Sequence, residues 1–181
     1  MRAYASIIET YQEGIQFGID ASVLCDQRNL VQWHVMSLLP ASQLGPVFVQ
    51  SYPLYEALRI CAIIFGIGVT FPLPAGHAPL LTLAKLLQIE LHQHDRNIAW
   101  LSQAAGGILL WALTLGGIAA TGSRDRAWFV TELKKLILQN EISTWHDLKL
   151  ILKSVLWLDC ACDFALTQLW DEVMNATDSF G

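Results

Sequence analysis

Hydrophobic positions in this chain recur at helical rather than strand spacing, and they predict an all-α protein. Leu80, Leu83, Leu87 and Leu91 repeat along one side of a helix from Pro79 to His94, with Lys85, Gln88 and His92 elsewhere. Phe129, Leu133, Leu136 and Ile137 form the core face of a later helix that Ser123 can cap, leaving Glu132, Lys134 and Lys135 in solvent. Thr144, three residues before Asp147, has the form of a capping box and opens another helix. Nearer the start, Tyr4 to Phe17 reads as a weakly amphipathic surface helix. Asp20-Ala21-Ser22 then begins a helix that stops at Pro40. Val23, Leu30, Trp33, Val35 and Leu38 are its apolar residues, and Asp26, Gln27 and Arg28 point outward.

Two stretches depart from this amphipathic pattern. Pro53 opens a helix whose only charges, Glu56 and Arg59, are three apart and able to pair. Everything from Ile60 to Val69 is apolar or glycine, until FPLPAGHAP forbids continuation. The second stretch is the centre of the chain. From Asn97 to Ser123 there is no Asp, Glu, Lys, Arg or His, and the residues are apolar or small on every side. Such a segment is either a helix buried all round or a membrane span. Ala112, Gly116 and Ala120 make a small-residue stripe that admits a neighbouring backbone, expected to be the Arg59–Val69 helix. The Pro/Gly break in the first stretch, the unsided charge around the second and the amphipathic helices on either side favour burial.

The expected architecture is a single-domain bundle of about seven to eight helices around a buried central helix, Leu101–Thr121. Residues 1–22 form an N-terminal helix and lead-in, 23–175 the helical domain, and 176–181 a polar tail.

Composition narrows the function. With 54% hydrophobic and 15% charged residues the chain is unusually apolar, and its net charge is −5. No Lys/Arg cluster exists to track phosphates, so direct nucleic-acid binding by this chain is not expected. Cys25, Cys61, Cys160 and Cys162 have neither C-x-x-C nor metal-ligand spacing and read as apolar residues in a reducing, intracellular compartment, nuclear or cytoplasmic. Met1 is followed by polar, mixed residues with no visible signal or transit peptide. No metal and no cofactor are expected. Glu90, His92, His94 and Asp95 cluster in sequence, but only Glu90 and His94 share a helical face.

The informative polar residues are Asp159 and Asp163. If the helix from Trp145 continues through WLDCACDFALTQLW, then Leu148, Leu152, Val155, Cys162, Leu166 and Trp170 share one stripe. Asp159 falls at its centre and Asp163 at its edge, while Lys149 and Lys153 point away. A core-facing carboxylate must be paired, here with Arg59 or Arg126, or cap a helix end, or be a raised-pKa acid of the catalytic kind. Among seven tryptophans, Trp111 and Trp157 are candidates to line an apolar ligand pocket.

Taken in order, YEALRICAIIFGIGVTFPLP, LLWALTLGGIAATGSRDRAWF and ISTWHDLKLILKSVLWLDCACDFALTQLW resemble the fungal-specific transcription factor domain. This is the helical regulatory region that lies C-terminal to fungal zinc binuclear cluster DNA-binding domains. The resemblance covers most of the chain from about Arg28 onward, including RNLVQWHVMSLLP. It implies a bundle that receives a small-molecule or protein signal without catalysis. The six-cysteine zinc cluster, basic linker and coiled coil of DNA-binding members have no counterpart here, so DNA binding is not carried over.

Two readings of function follow. In the first, the chain is a regulatory or ligand-sensing domain, a fragment of a longer regulator or a stand-alone form, with a protein partner or a second copy of itself as its output. In the second, a stand-alone bundle binds or converts an apolar secondary metabolite, for example as a cyclase or pericyclase, with Asp159 and Asp163 catalytic and Trp111 and Trp157 lining the pocket.

Overall fold

The structure, a computed structural model, describes residues 7–10, 20–45, 52–71, 73–93 and 95–176. Most of the N-terminal helix expected over Tyr4–Phe17, and the tail after Ala176, lie outside these residues; residues 7–10 are helical. The described part is all-α. Its helices are α1 (Ala21–Met36), α2 (Tyr52–Phe65), α3 (Ala78–Gln93), α4 (Asp95–Ala119), α5 (Arg126–Gln139), α6 (Trp145–Val155) and α7 (Asp159–Asn175).

The uncharged centre of the chain is the axis of the bundle. Every residue from Leu109 to Gly117 is buried, because α2, α3, α5, α6 and α7 all pack around α4. Thr114 is fully buried, and its hydroxyl donates to Leu110 O one turn back at 2.7 Å. No helix among the described residues is long and apolar enough to cross a membrane. The small-residue stripe has a different neighbour from the one expected. A Cβ on Gly116 would lie 2.6 Å from Phe129 Cζ, and one on Gly117 would meet Leu169 Cδ2 at 3.0 Å. At Gly116, the middle of the stripe, the close approach is therefore to α5, and at the adjacent Gly117 it is to α7, while the expected partner α2 also packs on α4. Phe129, the largest fully buried side chain, needs the hollow that glycine leaves.

Capping chemistry sets several boundaries as the sequence reading has it. Asp20 Oδ1 accepts from Ser22 N at 3.0 Å at the start of α1. Thr144 and Asp147 form a reciprocal capping box at the start of α6. Ser123 does not cap α5. Its hydroxyl accepts from Asp125 N at 3.2 Å, inside a turn where Gly122 takes φ +80°. The core faces of α3 and α5 are those expected, with Leu80, Leu87, Leu91, Phe129, Leu133, Leu136 and Ile137 buried and Leu83 half-buried. Lys134 is not fully solvated, since its ammonium donates to Ala176 O from a half-buried position.

Helix α1 is rotated from its expected phase. Val23, Leu30, Trp33 and Leu38 are exposed, Trp33 by 65%, and only Val35 of the expected set is buried. The side turned inward is Leu24, Arg28, Gln32 and Val35. Apolar residues are spread around this helix, so spacing alone selects no face. Arg28, expected to point outward, is on this inner side, with its guanidinium 4.7 Å from the centre of the Phe71 ring. Glu56 fixes the neighbouring connection: its carboxylate takes Arg59 Nη2 at 2.5 Å and Ala41 N at 2.8 Å. The hydrogen bond from Arg59 holds the Glu56 carboxyl below the usual range.

Beyond Phe65 the α2 ladder widens into a π-turn, Gly66–Thr70, closed by Phe71 N donating to Gly66 O at 3.0 Å. The loop that follows folds back at Gly76 (φ +83°), where a Cβ would stand 3.1 Å from Thr121 O at the end of α4.

Candidate functional site

The expected long C-terminal helix is two helices. Leu156, Trp157 and Leu158 run between α6 and α7, with Leu156 and Leu158 in extended backbone, and all three side chains are buried. No proline or glycine marks the break. Trp111 holds it: its indole Nε1 donates to Leu156 O at 2.5 Å. Trp157 Nε1 donates to Asp163 Oδ1 at 3.0 Å. Trp111 and Trp157 are thus braces, 4% and 3% exposed, and neither lines the cleft described below. The Trp111→Phe variant leaves Leu156 O without its donor, so it is expected to lose about 2 kcal/mol in urea unfolding, with a native-like far-UV spectrum.

With the break in place, Asp159 is the first residue of α7 and Asp163 lies one turn later, near the positive end of the helix dipole. Neither arginine expected beside Asp159 is there: Arg59 pairs with Glu56, and Arg126 makes a forked pair with Glu172 at 2.7 and 2.9 Å. The partners are the two lysines that a continuous helix would turn away. Lys149 Nζ lies 2.9 Å from Asp159 Oδ2 and 2.6 Å from Asp163 Oδ2, and Lys153 Nζ lies 3.0 Å from Asp159 Oδ2. Glu9 joins them, accepting from Asp159 N at 3.4 Å and standing 3.7 Å from Lys153 Nζ. Burial pushes the Asp159 carboxyl up, but hydrogen bonds from Lys149 and Lys153 outweigh it and hold the group below the usual range. Asp159 is therefore the opposite of a raised-pKa acid. Its other oxygen, Oδ1, is buried without a hydrogen-bond partner.

A separate concave site lies where the π-turn, the following loop, the C-terminal part of α4 and the first turns of α7 converge. It is a cleft of about 340 Å³, and Ile64, Val69, Leu115, Ile118, Phe164 and Gln168 are among its lining residues. Gly68 is also in the wall, and a Cβ there would meet nothing within 4 Å. Phe164 is 78% exposed at the edge. Among the described lining residues the one titratable side chain is Cys162, whose thiol burial pushes up to about 12. No group of three or more His, Cys, Asp or Glu side chains fit to hold a metal occurs among the described residues. His92 stands edge-on to Trp128 with ring centres 6.5 Å apart.

The sequence reading missed this cleft because its walls come from segments nearly a hundred residues apart. The one local signal is glycine at positions 66 and 68, at the end of an apolar run. Comparisons of the chain with protein-family models, with curated proteins and with solved structures find no match.

Proposed function

We propose that this chain is a helical regulatory module that senses an apolar small molecule, with no DNA-binding module of its own. The observation that carries the reading is the cleft beside the π-turn, concave, apolar and within the usual size range of small-molecule sites. The resemblance to the fungal-specific transcription factor domain supports the same class, a bundle that passes on a signal in the nucleus or the cytoplasm. The exposed apolar side of α1, with Leu30, Trp33 and Met36, supports a protein partner or a second copy as the output. Binding is favoured over conversion of the ligand. Asp159 and Asp163 are tied to lysines and lie outside the lining, and the Cys162 thiol remains protonated at neutral pH.

The test uses N-phenyl-1-naphthylamine, an uncharged fluorophore that brightens in apolar surroundings. It is expected to bind one-to-one, and the Gly68→Phe variant, which fills the cleft from an unobstructed position, is expected to lose at least ten-fold in affinity. A titration that gives no saturable signal, or one unchanged in the variant, contradicts the reading.

A further inference from the structure

The charge inventory of the cleft narrows the ligand class, on the premise that the cleft is the sensing site. Among the described residues, no Asp, Glu, Lys, Arg or His lines it. Charged groups that flank the lining residues are engaged elsewhere, and Arg28, stacked on the Phe71 ring at 4.7 Å, is the one with a buried Nε that has no hydrogen-bond partner among the described residues. Arg126 Nη1 donates to Thr121 Oγ1 and to Gly117 O, both at 2.7 Å, while the rest of its guanidinium grips Glu172. Thr121, a lining residue, spends its own hydroxyl proton on Ile118 O at 2.7 Å. Asp163, between the lining residues Cys162 and Phe164, has its oxygens taken by Lys149 and Trp157.

Several polar groups at the adjoining helix ends are taken as well. At the start of α7, Leu158 O accepts from Ala161 N at 3.1 Å and Cys162 N at 2.9 Å, and the carboxylates of Asp159 and Asp163 offset the positive end of the helix. At the end of α4, Gly116 O takes Ala120 N and Ala120 O takes Ser123 N, each at 2.9 Å. Any ion entering the cleft would shed water without gaining a counter-charge, which is strongly unfavourable. The exposed carboxamide of Gln168 is neutral and offers both a donor and an acceptor.

We infer that the cleft takes an uncharged, mainly apolar molecule carrying a hydroxyl or carbonyl group, and rejects carboxylates and ammonium ions of the same carbon skeleton. Selectivity comes from what the described wall lacks: an ion of either sign finds no counter-charge there to offset its lost hydration.

Isothermal titration calorimetry at about 150 mM salt, where surface charges are screened, compares decan-1-ol with decanoate and decylammonium on the intact chain. The expected result is one-to-one binding of the alcohol, at least ten-fold tighter than either ion, and lost in both Gly68→Phe and Ala161→Leu. Ala161 is an exposed lining position, so that second variant tests the site without burdening the core. Equal or tighter binding of either ion overturns the uncharged class while leaving the cleft as the site. Failure of all three to bind, or alcohol binding that survives both substitutions, overturns the cleft itself and the ligand class with it.

Discussion

Gly116→Ala is expected to destabilise the chain by about 3 kcal/mol, the upper end of what overpacking costs in a filled core. The added methyl would sit 2.6 Å from Phe129 Cζ and 2.8 Å from Cδ1, a collision with a rigid ring rather than with the end of a flexible chain. Phe129 has nowhere to go. It is fully buried, and α4 is enclosed by helices on its other sides. The relieving change is Phe129→Leu, which removes Cζ and the outer ring atoms and replaces the rigid ring with a branched chain that can rotate. Alone it leaves a cavity and costs roughly 1–3 kcal/mol. Combined with Gly116→Ala the two penalties do not add, and urea unfolding is expected to give a coupling of at least about 1 kcal/mol. Strict additivity would show that Gly116 and Phe129 do not share one volume.

Lys149→Met is expected to cost about 1–2 kcal/mol at pH 7, less than for a fully buried pair because the carboxylates are partly solvated. Lys149 is the cation paired with Asp163 among the described residues, and it shares Asp159 with Lys153. The Asp159 side chain is 36% exposed, which sets the discount. The sign with pH follows from the shifts. The Asp159 carboxyl titrates lower in the folded chain than its ordinary value of about 3.9. Its contribution is therefore complete above about pH 4 and is lost as the pH falls through the depressed value. For Lys149, burial acts downward, but the hydrogen bonds it donates to Asp163 and Asp159 prevail and raise it. That contribution is present below about pH 10 and is lost as the pH rises through the raised value. Stability of the wild type measured from pH 5 down to pH 2 should fall more steeply than that of Lys149→Met, and parallel acid limbs would contradict this account.

Much of the fold is legible in the sequence. Leu148, Leu152, Cys162 and Leu166 are buried as their spacing predicts, even though the helix holding them is broken. The break escapes notice because Leu156, Trp157 and Leu158 are all apolar, so the pattern of buried positions crosses the extended segment without interruption. Its physical cause is remote: a donor on Trp111, 45 residues away, satisfies the carbonyl that the helix gives up. A nearer hint exists in Asp159, since acidic residues favour first turns, and it reads equally well as a core carboxylate. The error then propagates. A continuous helix sends Lys149 and Lys153 away from Asp159, whereas a new start at Asp159 brings all three together. The cleft was illegible for another reason, because none of its walls is distinctive alone and only packing assembles them.

The central claim is that an apolar ligand enters beside the π-turn rather than beside the tryptophans. Methyl-detected NMR with N-phenyl-1-naphthylamine tests it most directly. The account predicts the largest shift changes at Ile64, Val69, Leu115 and Ile118, with Leu148 and Leu152, buried on α6, little changed. Changes centred on Leu148 and Leu152, with the cleft methyls unmoved, would contradict it.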